Sequence, residues 1–330
     1  MALNPTGAAG ARFLVTGSEG FVGRHVRAAI ERRGGSVLGV DRPGTAAELP
    51  VDLGAEDFAA GALWDRVGGP VQAVIHLAAT ISRASSVSAR ARANLRAIAG
   101  APVLLAEEGA RRGWLARAVL CSSFKVFGRS DEKIHPVLTG KRPDPFSYGS
   151  AKALAERSLE VLARSARFAL VTLYPTCIYG PGQHSANAIP VFLEAALRGR
   201  DPSVHGTGTS LRDDVFVGDL AELLVEAGLR SVTGAFIAGG EGARSIHEVA
   251  AACCTAIAET GGPTRAPRLA LETPAKWWLD QRFDLEPTER AFGYRPTPLA
   301  EGLRAQARWM RAGMPADTAA FASGTERSEA

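Results

Sequence analysis

A tyrosine and a lysine four residues apart, Tyr148 and Lys152 in YGSAK, form the pair in this sequence best suited to moving a proton. They open the stretch YGSAKALAERSLEVLARSA, whose apolar periodicity predicts a buried helix with both side chains on one face. An unperturbed phenol ionises at about pH 10. A cation one helical turn away favours the phenolate and lowers that value, so the tyrosine can take a proton from a hydroxyl while a hydride leaves the same carbon for a nicotinamide. A YxxxK spacing is common by chance on exposed helices. Here it follows the end of an apolar run that carries Ser122 and Ser123. A serine there would hold the substrate oxygen; its other use is as a cap of a turn or helix.

A hydride needs an acceptor, and the N-terminal glycines offer a seat for one. Phe13, Leu14 and Val15 read as a short buried parallel strand that breaks into Gly17, Gly20 and Gly23 ahead of an amphipathic helical stretch. Gly17 permits the tight turn, Gly20 lets the backbone approach a pyrophosphate, and Gly23 lets the helix pack on its strand. The phosphates would sit at the helix N-terminus, beside Phe21 and Val22, where unpaired amides and the helix dipole favour negative charge. A second strand, Ser36 to Val40, ends in Asp41, whose carboxylate can accept both hydroxyls of an adenosine ribose. Asp41 would repel a 2'-phosphate, which predicts NAD rather than NADP, although the guanidinium of Arg42 can hold such a phosphate and keeps NADP open. Asp52 and Leu53 either meet the adenine or, through Asp52, cap a helix over 55–66. A third strand, Ala73 to Leu77, runs into Ala78 and Ala79, small enough to leave room for a ligand. His76 reads as a hydrogen-bonded core residue.

The elements that must position these residues alternate. Further strands are expected over 116–121 and 168–173, with a long helical stretch over 87–111 that carries Asn94. This order predicts an α/β fold: a Rossmann-type doubly wound parallel sheet with helices on both faces. From about Pro175 the elements shorten, as for a smaller C-terminal α/β substrate lobe, with a strand over 234–238 returning to the sheet. The expected layout is a flexible tail 1–10, a dinucleotide-binding domain 11–174, a substrate lobe 175–311 and a flexible tail 312–330.

Composition narrows the function classes. A chain of 330 residues, 46% hydrophobic and 22% charged, has the balance of an ordinary soluble globule. Its formal charge of +4 is scattered, so no nucleic-acid surface is expected. The cysteines, at 121, 177, 253 and 254, have no zinc-like spacing, so no metal is expected, and they suit a reducing compartment. No apolar run is long enough to cross a bilayer and no signal peptide opens the chain; the expected location is cytoplasmic.

The ordered motifs TGSEGFVG, Asp41, HLAA, CSSFKVFG, YGSAK, YPTCIYGPG and LRDDVFVGDLA resemble the extended short-chain dehydrogenase/reductase superfamily, in its NAD-dependent sugar epimerase/dehydratase branch, which includes UDP-glucose 4-epimerase. The resemblance spans roughly residues 12–310. It implies that Ser123, Tyr148 and Lys152 are catalytic and that Lys152 also holds the nicotinamide ribose. The implied cofactor set is Gly17, Gly20, Phe21, Val22, Gly23, Asp41, Arg42, Asp52, Leu53, Leu77, Ala78, Ala79, Asn94, Tyr148, Lys152 and Pro175. On the substrate side it implies Ser122, Lys125, Cys177, Arg212 and Arg282, with the fork of Arg212 gripping a nucleotide sugar's diphosphate. Asp213 and Asp219 are expected to hold the loop and cap the next helix.

Departures from the family pattern bear on the reaction. Phe124 and Lys125 stand where dehydratases carry an acid pair, so dehydration is disfavoured. Cys177 replaces an asparagine, Tyr174 an arginine, and TPAK at 273–276 a second phosphate-binding arginine that Arg282 or Lys276 would have to replace. The expected activity is NAD-dependent epimerisation of a nucleotide sugar at C4 through a keto intermediate. The alternatives are a ketoreductase or dehydrogenase on such a sugar or a smaller alcohol, and an NAD-binding protein without turnover. Family members often pair through the helices after the serine strand and at Tyr148, so a homodimer is expected, with ARRGWLAR and ALAERSLEVLA offering apolar faces.

Overall fold

The computed structural model describes residues 7–79, 92, 95–128, 133–141, 143, 148–184, 187–272, 280 and 282–314. Asn94, Lys276 and most of both expected tails lie outside them. Six strands come first: β1 (Arg12–Thr16), β2 (Ser36–Asp41), β3 (Leu49–Pro50), β4 (Ala73–His76), β5 (Arg117–Cys121) and β6 (Ala169–Pro175). The helices between them are α1 (Phe21–Arg32), α2 (Ala60–Val67), α3 (Ala101–Arg111) and α4 (Tyr148–Ala166). The rest of the chain supplies β7 (Cys177–Tyr179), α5 (Ala188–Leu197), β8 (Ser203–His205), β9 (Leu211–Arg212), β10 (Asp214–Phe216), α6 (Val217–Leu229), β11 (Gly234–Ala238), β12 (Arg244–Ser245), α7 (Ile246–Glu259), β13 (Arg268–Ala270), α8 (Glu286–Phe292) and α9 (Leu299–Arg311).

One seven-stranded sheet runs β11-β6-β5-β4-β1-β2-β3, parallel at every pairing. The strand order reverses between β1 and β4, where open parallel sheets bind ligands beyond their carboxyl ends. Strands buried on both faces need apolar side chains on both, as in FLV of β1 and AVI of β4. One face packs on α1 and α6 and the other on α2, α3 and α4. As expected, β11 returns to the sheet beside β6. Short strands and α5, α7 and α9 enclose a separate core around Leu193, Cys253 and Leu303.

Local chemistry moved several expected boundaries. Ala8, assigned to a frayed tail, is buried, and its amide donates to the Arg33 carbonyl at 3.1 Å. The helix expected from residue 55 begins at Ala60, because Asp52 Oδ1 accepts the Gly54 amide at 2.9 Å and folds that segment into a turn. In the stretch over 87–111, a π-helical turn (Leu95–Gly100) precedes α3, whose first turn holds Pro102, a residue with no amide to continue the preceding ladder. Asp219 does not cap α6. It lies in that helix's first turn and accepts from the amide and hydroxyl of Thr297, both at 2.7 Å. Trp114 of ARRGWLAR is half-buried, 6.2 Å from the Trp64 ring, and packs against the core within the subunit.

Candidate active site

The glycine turn lies at the reversal point. Gly17 has φ +72°, and a Cβ there would come within 2.9 Å of the Ala78 amide nitrogen, so the turn and the end of β4 touch backbone to backbone. A Cβ on Gly23 would stand 2.0 Å from the Gly17 carbonyl oxygen, which fixes how closely α1 approaches the turn. α1 has no side-chain cap and no acidic residue in its first turn, which suits a bound anion beside Gly20, Phe21 and Val22. Val22 also packs into the core, and the Phe21 ring lies edge-on to His25 at 6.0 Å.

Asp41, at the carboxyl end of β2, accepts the Glu19 amide at 2.9 Å and the Arg42 amide at 2.8 Å, leaving a carboxylate's remaining lone pairs for ribose hydroxyls. Arg42 is exposed. Leu77 and Ala78 donate their amides to the Thr16 carbonyl and hydroxyl at 3.1 and 3.3 Å, and Ala79 is exposed beside them. Leu53 is buried in the core, so its side chain is structural. Pro175 ends β6, buried. The bare turn, the uncapped helix and the carboxylate one strand away together fit a dinucleotide. His76 behaves as a core residue: its Nδ1 is hydrogen-bonded with Thr16 Oγ1 at 2.8 Å, and burial depresses its pKa to about 3.

The second cluster forms where β5 ends and α4 begins. Ser123 caps a 3-10 turn (Phe124–Phe127), accepting the Lys125 amide at 3.3 Å, which is the structural alternative foreseen for it. α4 packs tightly on this turn: a Cβ on Gly149 would lie 2.6 Å from the Lys125 carbonyl oxygen, so Gly149 lets the start of α4 approach the turn that Ser123 caps. Lys152, 1% exposed, donates to the Cys121 carbonyl at 2.7 Å, and its nitrogen lies 5.8 Å from the centre of the Tyr148 ring. The expected electrostatics differ here. Burial pushes the phenol of Tyr148 above its ordinary value and the Lys152 ammonium below its own. Desolvation outweighs the pull of a cation turned toward a carbonyl.

Ser122, expected on the substrate side, is engaged inside the protein. It is 2% exposed, and its hydroxyl donates to Glu156, which is fully buried one turn past Lys152. The Tyr174 hydroxyl also donates to Glu156, at 3.1 Å, and Lys141 pairs with it at 2.5 Å while lying 5.5 Å from the Tyr174 ring centre. Sequence reading missed Glu156. Its signal was the i+4 spacing from Lys152, which puts a second charge on the buried face of α4. Burying that carboxylate requires partners, and a tyrosine and a lysine from distant segments supply them.

The remaining residues lie on the β7–β10 side. Cys177 is paired in register with Asp214, and burial raises its thiol pKa to about 11, against the nearby charges of Arg212 and Lys125. The Arg212 fork is turned to Asp214, with Nε donating to Oδ2 at 2.7 Å and Nη2 to Oδ1. Asp213 holds the loop as expected, accepting the Gly240 amide at 2.8 Å. Lys125 and Arg282 are exposed, and the Arg282 carbonyl accepts the Ile134 amide at 2.7 Å. Two residues before Arg282, Asp280 accepts the Leu211 amide at 3.0 Å, which brings that stretch to β9.

The chain is 28% identical to dTDP-4-dehydro-6-deoxy-D-allose reductase from Streptomyces sp, over 92% of this chain and 97% of that protein. It is 26% identical to dTDP-glucose 4,6-dehydratase from Neisseria gonorrhoeae, over 90% and 94%. The crystal structure of Thermus thermophilus UDP-glucose 4-epimerase, in complex with NAD, superposes with a TM-score of 0.73 at 26% identity, covering 91% of this chain and 99% of that one. The profile of the NAD dependent epimerase/dehydratase family matches residues 13–235. With its glycine turn on a doubly wound parallel sheet, the chain belongs to this family, whose cofactor is NAD.

Proposed function

We propose that the protein is a nucleotide-sugar epimerase inverting C4 of a hexose or uronic acid. What supports the reading is that Ser123, on the turn after β5, and Tyr148 and Lys152, on α4, stand on elements whose backbones touch at Lys125 and Gly149, at the end of a strand paired with β4, whose own end touches the glycine turn. Gly17, Gly20, Gly23, Asp41 and Lys152 would hold NAD, which supplies a reversible hydride acceptor when bound. Ser123 Oγ would hold the substrate oxygen, and Tyr148 Oη would take the hydroxyl proton and later return it. Phe124 lies 5.9 Å edge-on to Phe283, so the position after the serine is apolar and offers no acid for water loss. Structures and curated proteins similar to this chain act on UDP and dTDP sugars, which supports a nucleotide-linked substrate.

The test is product analysis by NMR after incubation with sugar nucleotides and no added cofactor. Epimerised product is expected, and a stoichiometric demand for NADH or NAD would overturn the reading. One observation favours a second reading, a keto-sugar reductase: the chain is 28% identical, over 92% of its length, to a dTDP-4-dehydro-6-deoxy-D-allose reductase. A net change at 340 nm would select it. We also propose a homodimer, supported by Leu104 of α3 and Leu154 and Val161 of α4, which are 44%, 46% and 56% exposed. A monomer in sedimentation would exclude it.

A further inference from the structure

Two adjacent aspartates do different things here. Asp213 accepts a main-chain amide and ties a loop, whereas both carboxylate oxygens of Asp214 are taken by Arg212. The side chain of Asp214 is 3% exposed and that of Arg212 is 16% exposed, so the pair is built in and shielded from water. β10 gets its register from its backbone pairing with β7, through Asp214 opposite Cys177, and needs no carboxylate for that. A buried ion pair also adds little stability over an apolar pair of similar size. The main effect of Asp214 therefore falls on Arg212.

A small cavity lined by Arg212 and Asp214 is also bordered by a second, more exposed ion pair. Arg244 faces Arg212 across β9 and β12 and donates to Glu241 at 2.9 Å. Thr297 and Leu299 close the cavity. Within the cavity lining the two guanidiniums and two carboxylates cancel, so the lining itself carries no surplus positive charge for an anion. A bidentate fork satisfied by a carboxylate must break that pairing before it can hold a phosphate in the same way.

We propose that Asp214 is the specificity-determining residue of this lining: it occupies the Arg212 fork, so the substrate is anchored through its base and sugars rather than through its diphosphate. The inference rests on the nucleotide-sugar reading above. It extends the substrate class to sugars linked to a single phosphate, for which a free diphosphate grip would be wasted.

Calorimetric titration of the NAD-loaded full chain with UDP, UMP, dTDP and dTMP tests it. In the wild type the second phosphate should tighten binding less than tenfold; tenfold or more overturns the proposal without any variant. Asp214→Asn should bind UDP or dTDP at least tenfold more tightly than wild type, and the gain should vanish in Arg212→Gln/Asp214→Asn. A folded Asp214→Asn with unchanged or weaker diphosphate binding overturns it, and if that variant does not fold, the wild-type comparison decides. If no nucleotide binds either protein while NAD is retained, the nucleotide-sugar reading falls and takes this inference with it. Equal UDP binding by both proteins removes this inference alone.

Discussion

The proposed cofactor and substrate sides of the site are made differently. The cofactor side is built from backbone: a turn whose glycine would clash with a neighbouring amide, a helix end without a side-chain cap, and one carboxylate held by two amides. The proposed substrate side is built from side chains on short strands and their turns: Arg212 with Asp214, Arg244 with Glu241, and Cys177 within the electrostatic reach of Arg212 and Lys125. A backbone site accepts one ligand geometry and tolerates little change. A site of paired charges can be retuned by changing a side chain, and proteins similar to this chain include a reductase, a dehydratase and an epimerase.

The sharpest way to break this contrast is at the junction of the two sides. Tyr148→Phe should lower turnover by about 10²–10⁴-fold, the usual share of general acid–base catalysis, with NAD binding intact by fluorescence titration. Retained turnover would leave the proton transfer to another group. On the backbone side, Gly23→Ala places a Cβ 2.0 Å from the Gly17 oxygen and should weaken NAD by roughly 100-fold, about 2.7 kcal/mol. Near-normal NAD affinity would mean that α1 can shift without disturbing the turn.

His76 separates core from crevice. Its pKa is depressed from 6.5 to about 3, so the folded chain binds this proton less readily than the unfolded one. Its contribution to stability is complete above about pH 6.5 and is lost as pH falls toward 3, amounting to ~2 kcal/mol by pH 5. Denaturant titrations at pH 7 and pH 5 should show that His76→Gln flattens this acid slope. The smallest effect is expected at Ser122→Ala, which removes one hydrogen bond to Glu156 and should cost about 1–2 kcal/mol of stability with an unchanged KM. A raised KM would return Ser122 to the substrate side.

Legibility follows the same division. The glycine spacing, Asp41 and the Tyr148–Lys152 turn were readable because each depends on contacts within one strand–turn–helix unit or one helical turn. Asp52 was ambiguous between adenine contact and helix cap, and the structure places it in a turn of its own. Glu156 was unreadable as a centre because Ser122, Tyr174 and Lys141 reach it from three separate segments. The lowered phenol pKa expected from spacing was reversed for a related reason, since spacing records where a cation is attached and not where it donates.

By itself, then, the sequence determined the parallel sheet, the glycine turn and the family, because hydrophobic period and glycine position act locally, whereas the strand order and its reversal came only with the tertiary structure. Only the tertiary structure decided which charges are neutralised, that Lys152 turns to Cys121 and that Arg212 turns to Asp214. Burial sets the cost of every unpaired charge, and burial exists only once the segments have packed.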